Sequence, residues 1–360
     1  METWRSAMPE GMHLKSDGFA SSLFAPNAGA TLGDYCRGHD IDYDDERFLV
    51  RLETFIDYGL DFQRRYVPDV DQRNVVSLRR QRECFELTLD DETVIAAEKV
   101  ILAVGITHFG YTPPVLARLP AAKVMHSSAL SQVTQFAGRD VIVVGAGSSA
   151  VDLAVLLSRC GAKTRLLARG DAIRFDTPPS RAGKRSYWRR LRHPKSGLGP
   201  GLRSWLYCSF PRAFRLMPDS IRIACLHRHL GPKSQYHLRQ TIERDVPVML
   251  NHEIVQAEAT DDGVRLSCRN GAGELTTVET EFVIAATGYR ADCERLAFID
   301  PKLRSAIESV DGYPRLSSCF ESSAPGLYFV GLAAAGSFGP LMRFVYGVEY
   351  AAKRLGMHLR

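Results

Sequence analysis

None of the eight cysteines forms a Cys-x-x-Cys pair; Cys36, Cys84, Cys160, Cys208, Cys225, Cys268, Cys293 and Cys319 are scattered along 360 residues. That spacing excludes a clustered thiolate metal site and a dithiol reductase centre, and it suits reduced thiols in a cytosol. No stretch approaches the roughly 18 uncharged apolar residues of a membrane span. Met1-Glu2-Thr3-Trp4-Arg5 carries no apolar signal core, so neither a signal peptide nor a membrane partner is expected. Also missing are a His-x-x-x-His pair, a carboxylate cluster and a Ser/His/Asp set at recognisable spacing. Metal chemistry and triad hydrolysis therefore have no support. The net charge of +5 is modest for a chain 45% hydrophobic, which argues against nucleic acid as the partner and for two packed α/β domains.

What is present centres on Val141-Ile142-Val143-Val144-Gly145-Ala146-Gly147-Ser148-Ser149-Ala150. Four β-branched residues predict a buried parallel strand. Gly145 and Gly147 allow a tight turn and a close approach to a pyrophosphate, and Ala150 lets the next helix, Val151 to Cys160, pack near the strand. Phosphates would rest on the free N–H groups of that helix, at Ser148 and Ser149. An NAD site places an acid about 20 residues past the glycines, on the ribose 2′-hydroxyl. Here the second strand, Thr164–Ala168, ends on Arg169 with no acid at its tip. A guanidinium suits a 2′-phosphate, so NADPH is the expected coenzyme. Asp171 lies close enough in sequence to serve the ribose instead.

The layout around this unit repeats. Residues 45–60 predict an amphipathic helix through Phe48, Leu49, Leu52, Phe55 and Ile56. Strands follow at Val75–Leu78 and Cys84–Leu89, and an apolar strand, Lys99–Val104, ends on Gly105. Thr112-Pro113-Pro114 breaks the chain. Val248–Leu250 and Val264–Cys268, with turn signals at Asp262-Gly263 and Asn270-Gly271, lead to Phe282–Ala286 and Thr287-Gly288-Tyr289. Two meanders that each close on an apolar strand ending in glycine imply two nucleotide-type domains, one inserted in the other. The expected division is 1–112 plus 291–360 for the first and 113–290 for the second, with a basic insertion at about 176–232.

The closing strands at Val104-Gly105 and Ala286-Thr287-Gly288-Tyr289 resemble those of flavoproteins built from paired FAD and NADPH domains, a tandem Rossmann-like arrangement of glutathione-reductase type. Flavin-containing monooxygenases and lysine/ornithine N-hydroxylases belong to that group. Gly326-Leu327-Tyr328-Phe329-Val330-Gly331, then Gly336-Ser337-Phe338-Gly339-Pro340 and a helix from Leu341, resemble its returning C-terminal segment, which implies that Gly331, Gly339 and Pro340 face a flavin. Trp4–Ser16 resembles the loop lying over the flavin, so Lys15 and Ser16 read either as flavin or substrate contacts or as plain surface loop. The resemblance implies hydride transfer from NADPH to FAD, then oxygenation of an amine- or sulfide-like small molecule. It names no acid or base, so no catalytic side chain is assigned. The identifying pattern of the flavin-containing monooxygenases is not met: aligned on His126, the other fixed places hold Pro120, Ala122 and Leu130.

The first strand–Gly-x-Gly-x-x-Gly–helix of that group has no counterpart before Gly145. Gly18, Gly29 and Gly33 have neither a preceding apolar strand nor a following helix. The expectation is an N-terminally shortened copy lacking about 40 residues, the size of one such unit. Unpaired, uncovered strands at Val100–Val104 and Phe329-Val330 would then follow. Two functions stay open: an FAD- and NADPH-dependent oxidoreductase of monooxygenase type, or a flavin-free NADP(H)-binding protein without turnover. His126 could touch nicotinamide or be structural. The basic stretch Arg181–Lys195, with Tyr187 and Trp188, reads as a rim for phosphates, a solvated excursion, or a contact for nucleic acid or an acidic lipid surface. Phe214 to Leu230 predicts one helix with Leu216, Ile221, Ile223, Leu226 and Leu230 inward and Arg222, His227, Arg228 and His229 outward.

Overall fold

A computed structural model describes residues 1–46, 48–176, 194–229 and 233–360. Most of the basic stretch, Arg181 to His193, lies outside the described residues, as does Leu230.

The centre is a five-stranded parallel sheet. Its strands are β5 (Val124–His126), β6 (Asp140–Val144), β7 (Lys163–Leu167), β8 (Val248–Met249) and β12 (Phe282–Ala285), in the order β5-β12-β6-β7-β8. In register, Val143 lies between Ile284 and Leu166. Val141 to Val144 and Phe282 to Ala285 are buried throughout, as strands covered on both faces require. Alternation divides them. Val141, Val143, Leu166 and Ile284 meet helix α4 (Ser148–Arg159) through Ala150, Val151, Ala154 and Leu157. Ile142, Val144, Leu167, Val283 and Ala285 meet Val264, Leu266 and Cys268 on the other side. Those three belong to an antiparallel meander of β9 (Glu253–Ala259), β10 (Val264–Arg269) and β11 (Leu275–Thr280), with the expected turns between its strands.

A second meander, β1 (Val75–Gln81), β2 (Cys84–Leu89) and β3 (Val94–Ala97), precedes β4 (Val100–Leu102). Strand β4 pairs in parallel with β15 (Leu327–Phe329), and the two form a sheet of their own. (The hairpin Ser309–Val310 with Tyr313–Pro314 supplies β13 and β14.) The expected uncovered faces are found only in part. Ile101 is 44% exposed, but Leu327, Tyr328 and Phe329 are all buried. Their cover comes from a core containing Phe85, Phe320, Phe338 and Leu355, the last on the C-terminal helix Val348–His358.

Three helix expectations are corrected. The predicted helix 45–60 begins only at Leu52 and runs to Tyr66; Phe48 lies before it and packs from coil into the N-terminal cluster around Leu32, Val50, Phe55 and Tyr58. The predicted helix Phe214–Leu230 is divided. After α5 (Leu202–Ser209), the chain forms α6 (Pro211–Arg215) and α7 (Asp219–Arg228), broken before Pro218, which has no N–H to continue a helix. The break rotates the faces. Leu216 is 79% exposed and Ile221 49%, whereas Arg222, expected outside, is buried with its guanidinium on Asp219. The helix expected from Leu341 is short turns at Pro340–Arg343 and Val345–Gly347, followed by Val348–His358.

Candidate functional site

The carboxyl ends of parallel strands share one edge, and the glycine turn lies there. Gly145 has φ 142° and donates its N–H to Leu167 O at 2.9 Å. A β-carbon at this position would overlap the carbonyl of Ala286, so the turn can be this close to β12 only with glycine. Gly147 caps α4; no side chain caps the helix, and a β-carbon at Gly147 would meet open space. The first turn, Ser148 to Ala150, therefore presents backbone N–H groups and a positive dipole end outward. Ala150 is fully buried beneath it.

Two other strand ends bring residues to the same edge. Beyond β7, Arg169 is exposed and makes no ion pair among the described residues. Its loop is fixed from below, since Asn251 N–H bonds Gly170 O at 2.9 Å and His252 N–H bonds Ala168 O at 3.0 Å. Asp171 is exposed in the same loop. Beyond β12, Ala286 N–H bonds Val144 O at 2.9 Å, and Gly288 follows at φ 85° with open space at its β position. Gly145, Gly147, Ser148, Ser149, Ala150, Arg169 and Gly288 are thus brought to one edge, where open α/β sheets bind ligands.

His126 sits behind this edge. Its Nε2 donates to Gly288 O at 3.0 Å, and its Nδ1 accepts from the Ser128 N–H at 3.1 Å. This pairing assigns the neutral Nε2–H tautomer. Burial lowers its pKa, in keeping with an uncharged ring. The ring also packs edge-on to Tyr289, with centroids 5.3 Å apart. Both nitrogens are engaged, so the side chain holds the crossing between the two halves of the chain.

Lys15 is not a free surface residue. Its ammonium forms an ion pair with Asp152 of α4, the two side chains only 12% and 6% exposed. Burial pushes the Lys15 pKa down and the Asp152 carboxyl up, and their mutual attraction opposes both. The loop is fixed further by Gln235 Nε2 donating to Leu14 O at 3.0 Å and by Leu14 N–H on Val50 O at 2.8 Å. His13 and His237 meet edge-on at 5.9 Å; burial and the neighbouring positive charges lower the pKa of each. Ser16 is half-buried beside them, its carbonyl facing the Ser21 hydroxyl at 3.5 Å. Sequence reasoning missed Asp152, Gln235 and His237. Asp152 left a signal, as an acid inside the apolar run Ala150-Val151-Asp152-Leu153-Ala154.

The remaining expected residues lie apart. Gly331 follows β15 at φ 65° with open space at its β position. Gly339 and Pro340 are buried, and the ring of Phe214 lies against Gly339. Among the described residues, no second strand–glycine–helix unit adjoins β4 and β15. The residues present fit the pyrophosphate of a nicotinamide dinucleotide, whereas a second pyrophosphate cradle is not found among them.

Residues 62–194 match the family described as pyridine nucleotide-disulphide oxidoreductase. A ferredoxin–NADP reductase of Rickettsia massiliae is 30% identical over 124 residues, which is 34% of each chain. The chain spans about a third of the length of the curated relatives it matches. The structure of an ornithine N-hydroxylase from Kutzneria, described with reduced FAD, NADP+ and L-ornithine, superimposes with a TM-score of 0.72 at 12% identity, covering 99% of this chain and 89% of that one. Bacillithiol disulfide reductase from Staphylococcus aureus gives 0.61 at 17% identity, covering 99% and 87%. The fold is that of flavoproteins with paired FAD and NAD(P) domains. Within it, the structural neighbours include both amine N-hydroxylases and disulfide reductases, so shape alone leaves the reaction undivided.

Proposed function

We propose that the protein is an FAD- and NADPH-dependent oxidoreductase of monooxygenase type, acting on an amine- or sulfide-like small molecule. The observation that carries this reading is the single edge shared by the Gly145–Ala150 turn, open Gly288 and Arg169, which has no ion-pair partner among the described residues. The α4 N-terminus binds the pyrophosphate. Arg169 offers a charge-assisted fork to a 2′-phosphate, which selects NADPH over NADH. Gly288 leaves room for the nicotinamide end, and the Gly331, Gly339 and Pro340 segment borders the flavin side. Bound flavin supplies the hydride acceptor and the oxygen chemistry. This chain's groups bind, orient and exclude water, with Lys15–Asp152 holding the N-terminal loop against α4 and Ser16 beside it. The domain division at 112/113 and 290/291 belongs to the same proposal, as does a cytosolic setting, for which the eight free thiols speak.

A second reading, a flavin-free NADP(H)-binding protein, is favoured by the Phe214 ring over Gly339 and by the single pyrophosphate cradle among the described residues. Calorimetry with NADPH and NADH, together with the visible spectrum of the purified chain, separates the two. Flavin absorbance near ~450 nm that NADPH bleaches supports the enzyme. A colourless chain that still binds NADPH supports the second reading, and no heat with either nucleotide overturns both.

A further inference from the structure

Helices α5 to α7 show a face that the nucleotide site does not explain. Large exposed hydrophobic residues are scattered singly elsewhere or on sheet faces, yet five of them, Leu202, Leu206, Phe210, Leu216 and Ile221, fall within about twenty residues. On α5, Leu202 and Leu206 recur at i and i+4 and so share one side of the helix, and Phe210 follows just past its end. Tyr207 of α5 and Phe214 of α6 lie instead against the core. Leu202, Leu206 and Phe210 are 42–55% exposed, and Leu216 projects at 79%.

Charge interleaves with it. Arg203 and Arg212 are exposed among these residues and make no ion pair among the described residues. Between Lys195 and Arg228 the one acid is Asp219, which is already held by Arg222 and Arg315. We infer that this face lies on an anionic phospholipid surface, the leucines and phenylalanine entering the headgroup boundary and the arginines pairing with lipid phosphates. A second copy of the chain fits less well, because a two-fold contact sets like patches against each other and brings arginine towards arginine. Nucleic acid would use the arginines but gives protruding leucines nothing to enter. Such contact needs no membrane-spanning helix, and none of the described helices is long and apolar enough to be one.

The test is vesicle flotation of the full chain, with phosphatidylcholine vesicles containing about a third phosphatidylglycerol or none. Binding to the anionic vesicles alone, lost near ~1 M salt, is expected. Arg203→Glu/Arg212→Glu should weaken it by at least roughly fivefold per arginine, and Leu206→Glu/Phe210→Glu should weaken it comparably at unchanged net binding of NADPH. All four positions are exposed, so circular dichroism and melting should match the parent. Absence of binding to anionic vesicles, equal binding by folded variants, or tight binding of duplex DNA that ignores Leu206→Glu/Phe210→Glu would each overturn the inference.

Discussion

The carbonyl oxygen of Ala286 occupies the space that a β-carbon on Gly145 would need, whereas the same position on Gly147 faces nothing. Two glycines of one motif therefore have different physical reasons.

Their substitutions should separate. Gly145→Ala must move β12 or the turn and adopt a left-handed conformation, which costs about 2–4 kcal/mol. A clear drop in Tm is expected, with loss of NADPH binding. Gly147→Ala, at φ −80°, should leave Tm within about 2 °C while weakening NADPH, because the added methyl would stand in the path of the proposed phosphates. Equal Tm losses in the two variants would contradict the geometry.

The proposed function gives Arg169 the choice of coenzyme. Arg169→Ala is expected to weaken NADPH by roughly 10- to 100-fold, the worth of a charge-assisted contact, and NADH by less than about threefold. Titration calorimetry with both nucleotides reads the ratio. Parallel losses would assign recognition elsewhere in the loop, with Asp171 next to be replaced.

The Lys15–Asp152 pair is buried, so removing one member should hurt more than removing both. Lys15→Met alone leaves an uncompensated carboxylate and should cost about 3–5 kcal/mol. Lys15→Met/Asp152→Leu should recover much of that. A urea double-mutant cycle measures the coupling, and additive losses would show that the two charges are independent.

Acid should destabilise the fold before its carboxylates are protonated. His13, His126, His229 and His237 all have pKa values lowered from 6.5, with burial the first cause in each. A base whose folded pKa is depressed binds fewer protons in the native state than in the unfolded chain. Its contribution is complete above about pH 6.5 and is lost as pH falls below that value. Tm should hold between pH 8 and 7 and decline steadily from about 6.5 to 5. A flat profile over that interval would mean that these rings are solvated.

The parts of the fold readable in advance were those where one local pattern suffices. Val141–Val144 reads as a buried strand because all four residues are β-branched, and the glycines and Ala150 follow at fixed places. The Arg169 position follows from the end of β7. Less was legible where a side chain's partner is distant. Nothing near Lys15 in sequence announces Asp152, and Gln235 reaches Leu14 across more than two hundred residues. Arg222 looked like a solvent residue on an amphipathic helix, until Pro218 broke the helix and turned it inward. Phe48 and Leu49 satisfied a helical period, yet they precede the helix that begins at Leu52. Periodicity reports which residues prefer shelter, not which element provides it.

The chain's two crossings are laced together at the carbonyl of Gly288. Gly110 bridges Tyr289, Tyr111 N–H bonds Gly288 O at 2.9 Å, and His126 closes on the same carbonyl. Both crossings therefore lean on one carbonyl, and a shift of either pass must break the Tyr111 and His126 bonds to Gly288 O together.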